Sequence, residues 1–157
     1  VRSLVRDGPG VKVVYVDEIG VGFRVASILK DRLPRFRYHV TKRDRYGDRR
    51  VERTVKASGV NVSKKPGDPD RFVRRKDELL WHLRDQLVDG KIALKPNEDL
   101  REEILAVRMR TTPDGRIETE PKDRLRARIG RSPDILDSLL LGLHGEVPET
   151  NKRLIFG

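Results

Sequence analysis

Apolar residues follow two different periods along this chain, and the changes of period mark its elements. Val11 to Val16 (V-K-V-V-Y-V) is a β-branched, nearly unbroken apolar run preceded by the turn signal Gly8-Pro9-Gly10, the pattern of a buried central strand. It predicts a strand that ends at Asp17-Glu18. After Gly20-Val21-Gly22 the spacing becomes helical, with Phe23, Val25, Ala26, Ile28, Leu29 and Leu33 on one stripe until Pro34 stops it. A second apolar strand, around Gly59 to Ser63, would close a right-handed βαβ unit with the first. Downstream, Asp70 to Asp89 places Phe72, Val73, Leu79, Leu80, Leu83 and Leu87 on one face and charges on the other, ending before Gly90: an amphipathic helix. Glu98 to Val107 predicts a helix passing into a strand, and Met109 to Thr119 a hairpin turned at Pro113-Asp114-Gly115. Pro121 to Arg128 reads as a short basic helix. Ser132-Pro133-Asp134 starts a last helix with proline at its first position, running to about His144. The tail from Glu146 to Gly157 has no period and reads as disordered apart from Leu154-Ile155-Phe156.

Charge changes this picture. The 157 residues carry 35 Lys plus Arg against 25 Asp plus Glu, a formal net charge of +10, which points to a polyanionic partner such as nucleic acid. The densest stretch is Arg35 to Lys56, where nine basic residues stand against Asp44, Asp48 and Glu52. Its centre, Arg45-Tyr46-Gly47-Asp48, is turn-like, so the stretch predicts a basic β-hairpin inserted into the βαβ unit. Arg43, Arg45, Arg49 and Arg50, with Phe36, Tyr38 and Tyr46 interleaved, suit phosphate contact; a solvated loop is the plainer reading. A second basic path for DNA runs along Arg124, Arg126, Arg128 and Arg131, with Arg128 and Arg131 as candidate phosphate contacts. The chain has no cysteine, which excludes disulfides, thiolate metal sites and cysteine nucleophiles. No run is long and apolar enough to span a bilayer, and no signal peptide precedes the first strand, so a cytoplasmic protein without membrane contact is expected. Neither an internal repeat nor a phosphate-binding P-loop is present. Trp81 reads as a partly buried packing residue and His82 as a surface one.

Three aspartates stand out. Asp17 lies at the carboxyl end of the predicted central strand, where open α/β sheets place their ligands. Asp134 and Asp137, three residues apart, project from one side of the first turn of the last helix, and Asp137 interrupts an otherwise apolar face. That helix must pack on the sheet, which could bring both acids towards Asp17. Each has an ordinary explanation: Asp17 as a loop or cap acceptor, Asp134 as a complement to the helix dipole. Converging without paired cations, they would repel one another and take up a hard divalent ion, Mg²⁺ or Mn²⁺. In a basic protein, two such ions can hold a scissile phosphate between water and leaving oxygen.

V-V-Y-V-D-E-I-G-V-G (Val13 to Gly22) and, much later, K-D-R-L-R-A-R-I-G-R-S-P-D-I-L-D-S-L-L-L-G-L (Lys122 to Leu143) resemble the nuclease domain of the large terminase subunit of tailed double-stranded DNA phages. G-V-N-V, D-P-D-R-F-V-R-R-K-D-E-L-L-W-H-L-R-D-Q-L and D-G-R-I-E-T-E lie between them in the family's order. The S-P-D-x-x-D-[AS]-L pattern is also similar to that of Holliday-junction resolvases, which share the ribonuclease H-like fold.

The resemblance implies a ribonuclease H-like α/β fold, a mixed sheet flanked by helices, over residues 1–145 with a basic insertion at 35–56 and a tail at 146–157. It implies a metal-dependent endonuclease cutting concatemeric double-stranded DNA in the host cytoplasm, with two Mg²⁺ or Mn²⁺ ions in a complete site. Its partners would be the terminase ATPase domain, the small terminase subunit and the portal. Asp17, Asp134 and Asp137 match metal-binding carboxylates of the family, Asp137 being favoured as a direct ligand, and Lys122 matches a Lys-Asp pair with a DNA-backbone role. The family's first carboxylate sits on an earlier strand, for which Asp7 is no substitute. The chain is therefore expected to lack the first strands of the fold and, as a rival reading, to be a catalytically incomplete DNA-binding or assembly fragment. A resolvase acting on branched DNA is the third reading.

Overall fold

The computed structural model describes residues 12–19, 22–35, 37–145 and 147, side chains at 38 and 40–44 excepted. The turn expected at Gly8-Pro9-Gly10 and the tail other than Val147 lie outside the described residues. The chain forms two compact units, Val1–Val60 and Asn61–Gly157.

In the first unit β1 (Val13–Asp17) leads into α1 (Gly22–Arg32), which a 3₁₀ turn at Leu33–Arg35 terminates where Pro34 was expected to stop it. The predicted βαβ unit is formed: β4 (Lys56–Val60) lies parallel to β1, from Val13 opposite Lys56 to Asp17 opposite Val60. It begins earlier than the expected 59–63, because the chain leaves the sheet at Asn61. There the Asn61 side chain accepts a hydrogen bond from Ser63 N at 2.9 Å, an Asx turn that competes with a strand ladder. Two glycines permit close approaches. A Cβ on Gly22 would overlap the Asp17 carbonyl, and one on Gly59 would overlap the Glu18 side chain, so the loop after β1 can fold tightly over the strand end. β1 is half-buried throughout rather than buried; among the described residues it has β4 along one edge and no second neighbour. Ala26 of α1 and Leu33 of the 3₁₀ turn reach the interior, whereas Phe23, Val25 and Ile28 of the same apolar set are exposed.

The basic stretch is a hairpin, as its composition predicts. β2 (Arg37–Asp44) and β3 (Gly47–Thr54) pair antiparallel from Arg37 opposite Thr54 to Asp44 opposite Gly47, leaving Arg45-Tyr46 as a two-residue turn.

The second unit is built on α2 (Arg75–Val88) and α5 (Asp134–Leu143). Leu79, Leu80 and Leu83 of α2 pack with Leu136, Leu140 and Leu143 of α5, and Ile104 of α3 (Glu98–Ala106) closes over them. Each such leucine contributes roughly 1.5–3 kcal/mol of transfer free energy. α2 starts five residues later than its apolar pattern suggests. Residues 71–73 follow a turn and form a single parallel bridge instead, Phe72 opposite Ile117: Ile117 N donates to Arg71 O at 2.8 Å and Val73 N to Ile117 O at 3.2 Å, tying them to β6 (Ile117–Thr119), which pairs with β5 (Met109–Thr111) as the predicted hairpin. The helix then begins where Asp77, its third residue, accepts the Arg74 N–H at 2.9 Å, one half of a capping box. α4 (Lys122–Ile129) and α5 complete the unit. Pro133 caps α5 rather than filling its first helical position. Among the described residues no helix is long and apolar enough to cross a membrane.

Candidate active site and nucleic-acid interface

Asp17 is the last residue of β1, half-buried, with Oδ1 accepting from Ile19 N at 3.0 Å. It therefore organises its own loop, the ordinary role open to it from sequence, and presents a carboxylate at the carboxyl end of a parallel strand. Its neighbour Glu18 lies 3.9 Å from Lys30.

The other two acids depend on how α5 begins. With proline at the cap, no side chain of the local segment serves the first turn; Glu103, wholly buried on α3, does so from outside, its Oε2 accepting from Leu136 N at 2.7 Å. The other oxygen of Glu103 accepts from Arg131 Nη1. This lock fixes the first turn and with it Asp134, which is exposed, and Asp137, which is half-buried.

Asp137 differs from the expectation of uncompensated acids. Lys76 Nζ donates to its Oδ1 at 2.7 Å and Lys122 Nζ to its Oδ2 at 2.6 Å. Burial pushes its proton affinity up, but the hydrogen bonds from Lys122 and Lys76 and their charges outweigh that and hold its pKa below the ordinary carboxylate value. Asp137 is thus ionised at neutral pH and neutralised within the fold. Among the described residues, no three acids or histidines gather in a group that could hold a metal. Asp134 and Asp137 are hard oxygen donors of the right kind for Mg²⁺ or Mn²⁺, but within the second unit they are two in number and one is already shared by two ammonium groups.

Lys122 was legible beforehand as a basic residue preceding the last helix; Lys76 was not. Its signal was nonetheless in the pattern. Lys76, Leu79, Leu80 and Leu83 follow i, i+3, i+4, i+7, so Lys76 falls on the apolar stripe of α2, as Asp137 falls on that of α5. A lone charge on such a stripe needs a partner of opposite sign.

The arginines divide into two groups. Arg45, Arg49 and Arg50 are exposed on the hairpin, and Arg43 stands in register with Asp48, its side chain lying outside the described residues. Arg128 and Arg131, by contrast, are tied into the fold. Arg128 donates to Glu120 Oε2 at 2.7 Å and to Ala106 O at 2.5 Å. Arg131 donates to Asp99 O at 3.0 Å and Glu102 Oε2 at 3.1 Å besides Glu103. Trp81 packs between the Arg71 and Arg84 guanidinium groups, 5.0 and 4.9 Å from its ring. His82 beside it is half-buried, not the surface residue its neighbours in sequence suggested.

No protein-family model matches the chain, and no curated protein matches it. Solved structures do. The nuclease domain of the large terminase subunit of bacterial virus Sf6 superimposes with a TM-score of 0.57 at 15% identity, over 85% of this chain and 65% of that one. A single-site mutant of that domain with manganese gives 0.55 over 85% and 66% at the same identity, and a mutant with calcium 0.57 over 85% and 65%. This chain thus spans just under two thirds of the length of that nuclease domain. Over that span the chain has the mixed α/β fold of that nuclease domain.

Proposed function

We propose that this chain is the metal-dependent endonuclease module of a phage DNA-packaging terminase, hydrolysing phosphodiester bonds of concatemeric double-stranded DNA in the host cytoplasm. The fold likeness over 85% of the chain carries the proposal; the net charge of +10 and the three aspartates support it. Asp17, Asp134 and Asp137 would hold Mg²⁺ or Mn²⁺, two ions in a complete site, which when bound supply Lewis-acid activation of the phosphodiester towards water. The chain's own part is distinct from that chemistry. Asp137 stays ionised at neutral pH under the influence of Lys122 and Lys76, and so needs no deprotonation to accept a cation. Lys122, 44% exposed beside it, is placed to meet a backbone phosphate, and Arg43, Arg45, Arg49 and Arg50 on the hairpin give the duplex a sequence-tolerant grip. Arg128 and Arg131, held by acids, contribute through folding more than through phosphate contact. In a terminase the partners would be the ATPase domain, the small subunit and the portal.

The test is nicking of supercoiled plasmid in Mn²⁺. Efficient nicking is expected of protein that also carries the family's first carboxylate, and there Asp17→Asn and Asp137→Asn should each lose at least a hundredfold. Nicking that survives both substitutions would sink the assignment. One observation favours a second reading, a DNA-binding or assembly piece without catalysis: Asp137 is already neutralised by two lysines. On that reading DNA binding persists and no metal-dependent nicking appears.

A further inference from the structure

Lys76 has few alternatives to Asp137. Its backbone is fixed, Lys76 N donating to Val62 O at 2.9 Å, and the acids beside it on α2 are committed elsewhere. Asp77 accepts from Arg74 and from Thr119 N at 2.9 Å. Glu78 accepts from Arg75 Nη1 at 2.6 Å and from Gly67 N at 2.8 Å. The Lys76 side chain lies on the apolar stripe and is 22% exposed, half the exposure of Lys122. Lys122 stands at the first residue of α4 and can swing its ammonium into water. Lys76, on the stripe that Leu79, Leu80 and Leu83 continue and only half as exposed as Lys122, has less room to leave Asp137.

We propose that Lys76 is a built-in counter-ion of Asp137 that opposes a divalent cation at the same carboxylate and so sets its metal affinity. It is a positioning residue, acting through Asp137. The proposal rests on the reading of Asp137 as a metal ligand. A divalent ion held by Asp137 would share the carboxylate with the Lys76 ammonium, which lies 2.7 Å from Oδ1, and like charges competing for one partly shielded carboxylate repel strongly. Without the metal, the same ammonium keeps the carboxylate in place.

The experiment measures Mn²⁺ binding to the full chain by isothermal titration calorimetry, with thermal melting in metal-free buffer. Lys76→Met, and Lys76→Gln as a variant that can still hydrogen-bond Asp137, should bind Mn²⁺ about tenfold more tightly than wild type and melt at lower temperature without metal. Lys76→Arg should restore both properties. Lys91→Met, which removes the same formal charge at an exposed site, should leave affinity within about twofold of wild type. If Asp137→Asn abolishes Mn²⁺ binding but neither neutral Lys76 variant binds more tightly, the role of Lys76 is refuted and the ligand reading stands. If wild type binds no Mn²⁺, or Asp137→Asn binds it unchanged, both fall.

Discussion

Replacing Glu103 with glutamine tests whether the acids of α5 are positioned from another helix. Glu103 is wholly buried, receives Leu136 N at 2.7 Å and pairs with Arg131. Glutamine keeps the shape, yet its amide has one acceptor and one donor end where the site presents two donors. The cheaper orientation keeps the oxygen on Leu136 N and turns the NH₂ towards Arg131, which retains Glu102 and Asp99 O. The bond to Leu136 N then changes from charge-assisted to neutral, a difference of about 1 kcal/mol. Removing a carboxylate from the helix N-terminus costs a further 0.3–1 kcal/mol, roughly. The expected destabilisation is therefore about 2 kcal/mol, a fall in Tm of roughly 5–15 °C according to whether the second unit melts alone or with the whole chain. Glu102→Gln is the control: it also pairs with Arg131, but at 55% exposure, and should change stability by no more than about 0.5 kcal/mol. Urea titration followed by circular dichroism reads both. If Glu103→Gln proves as mild as Glu102→Gln, α5 is capped without Glu103 and the reasoning is wrong.

Three further outcomes are expected. The hydrogen bond and charge of Arg128 hold Glu120 below its ordinary pKa of 4.5, so its contribution is full above that value and disappears as pH falls through the depressed one. Glu120→Gln should accordingly be less stable than wild type at pH 7, with the gap closing below about pH 4.5; a gap unchanged down to pH 3 would show that ionisation is not its source. Replacing Arg43, Arg45, Arg49 and Arg50 with serine should flatten the salt dependence of DNA affinity by up to about 0.9 log units for each phosphate that is no longer neutralised, and an unchanged slope would place the DNA path off the hairpin. The double variant Lys76→Met, Asp137→Leu should match or exceed wild type in urea stability, since well-packed apolar residues commonly replace a partly buried ion pair without loss; a cost above about 2 kcal/mol would make the pair structural.

What the sequence revealed followed the range of the interactions. β1, α1, the Arg45-Tyr46 turn and the β5–β6 hairpin are set by neighbours a few residues apart, and period and turn chemistry located them. The start of α2 went astray because residues 71–73 are claimed by β6, a pairing no local pattern announces. Likewise Pro133 was assigned inside α5 because the cap it makes room for comes from Glu103 on α3. Arg128 and Arg131 read as phosphate ligands by sign alone; their acids are brought to them by the tertiary fold. At the site, Asp17 and Asp137 were visible as acids in unexpected places, one at a strand end and one on an apolar face. The Lys76 cation on Asp137 is not, since α2 carries many charges and only the i, i+3, i+4, i+7 spacing with Leu79, Leu80 and Leu83 sets Lys76 apart from them.

That placement bears on what the pair is for. A cation on one apolar stripe and an anion on another interrupt the two helices that build the core, and each alone would cost more than the leucine it displaces. Paired, they roughly break even, because desolvation consumes most of the Coulombic gain. Stability therefore gives little reason to keep Lys76 and Asp137 there, while the nearby core shows that leucine packs well on both helices. Lys122 adds a second ammonium to a carboxylate that one lysine already neutralises. The double substitution of Lys76 and Asp137 decides the point: stability that survives it leaves the pair without a structural role, and a clear loss makes it one.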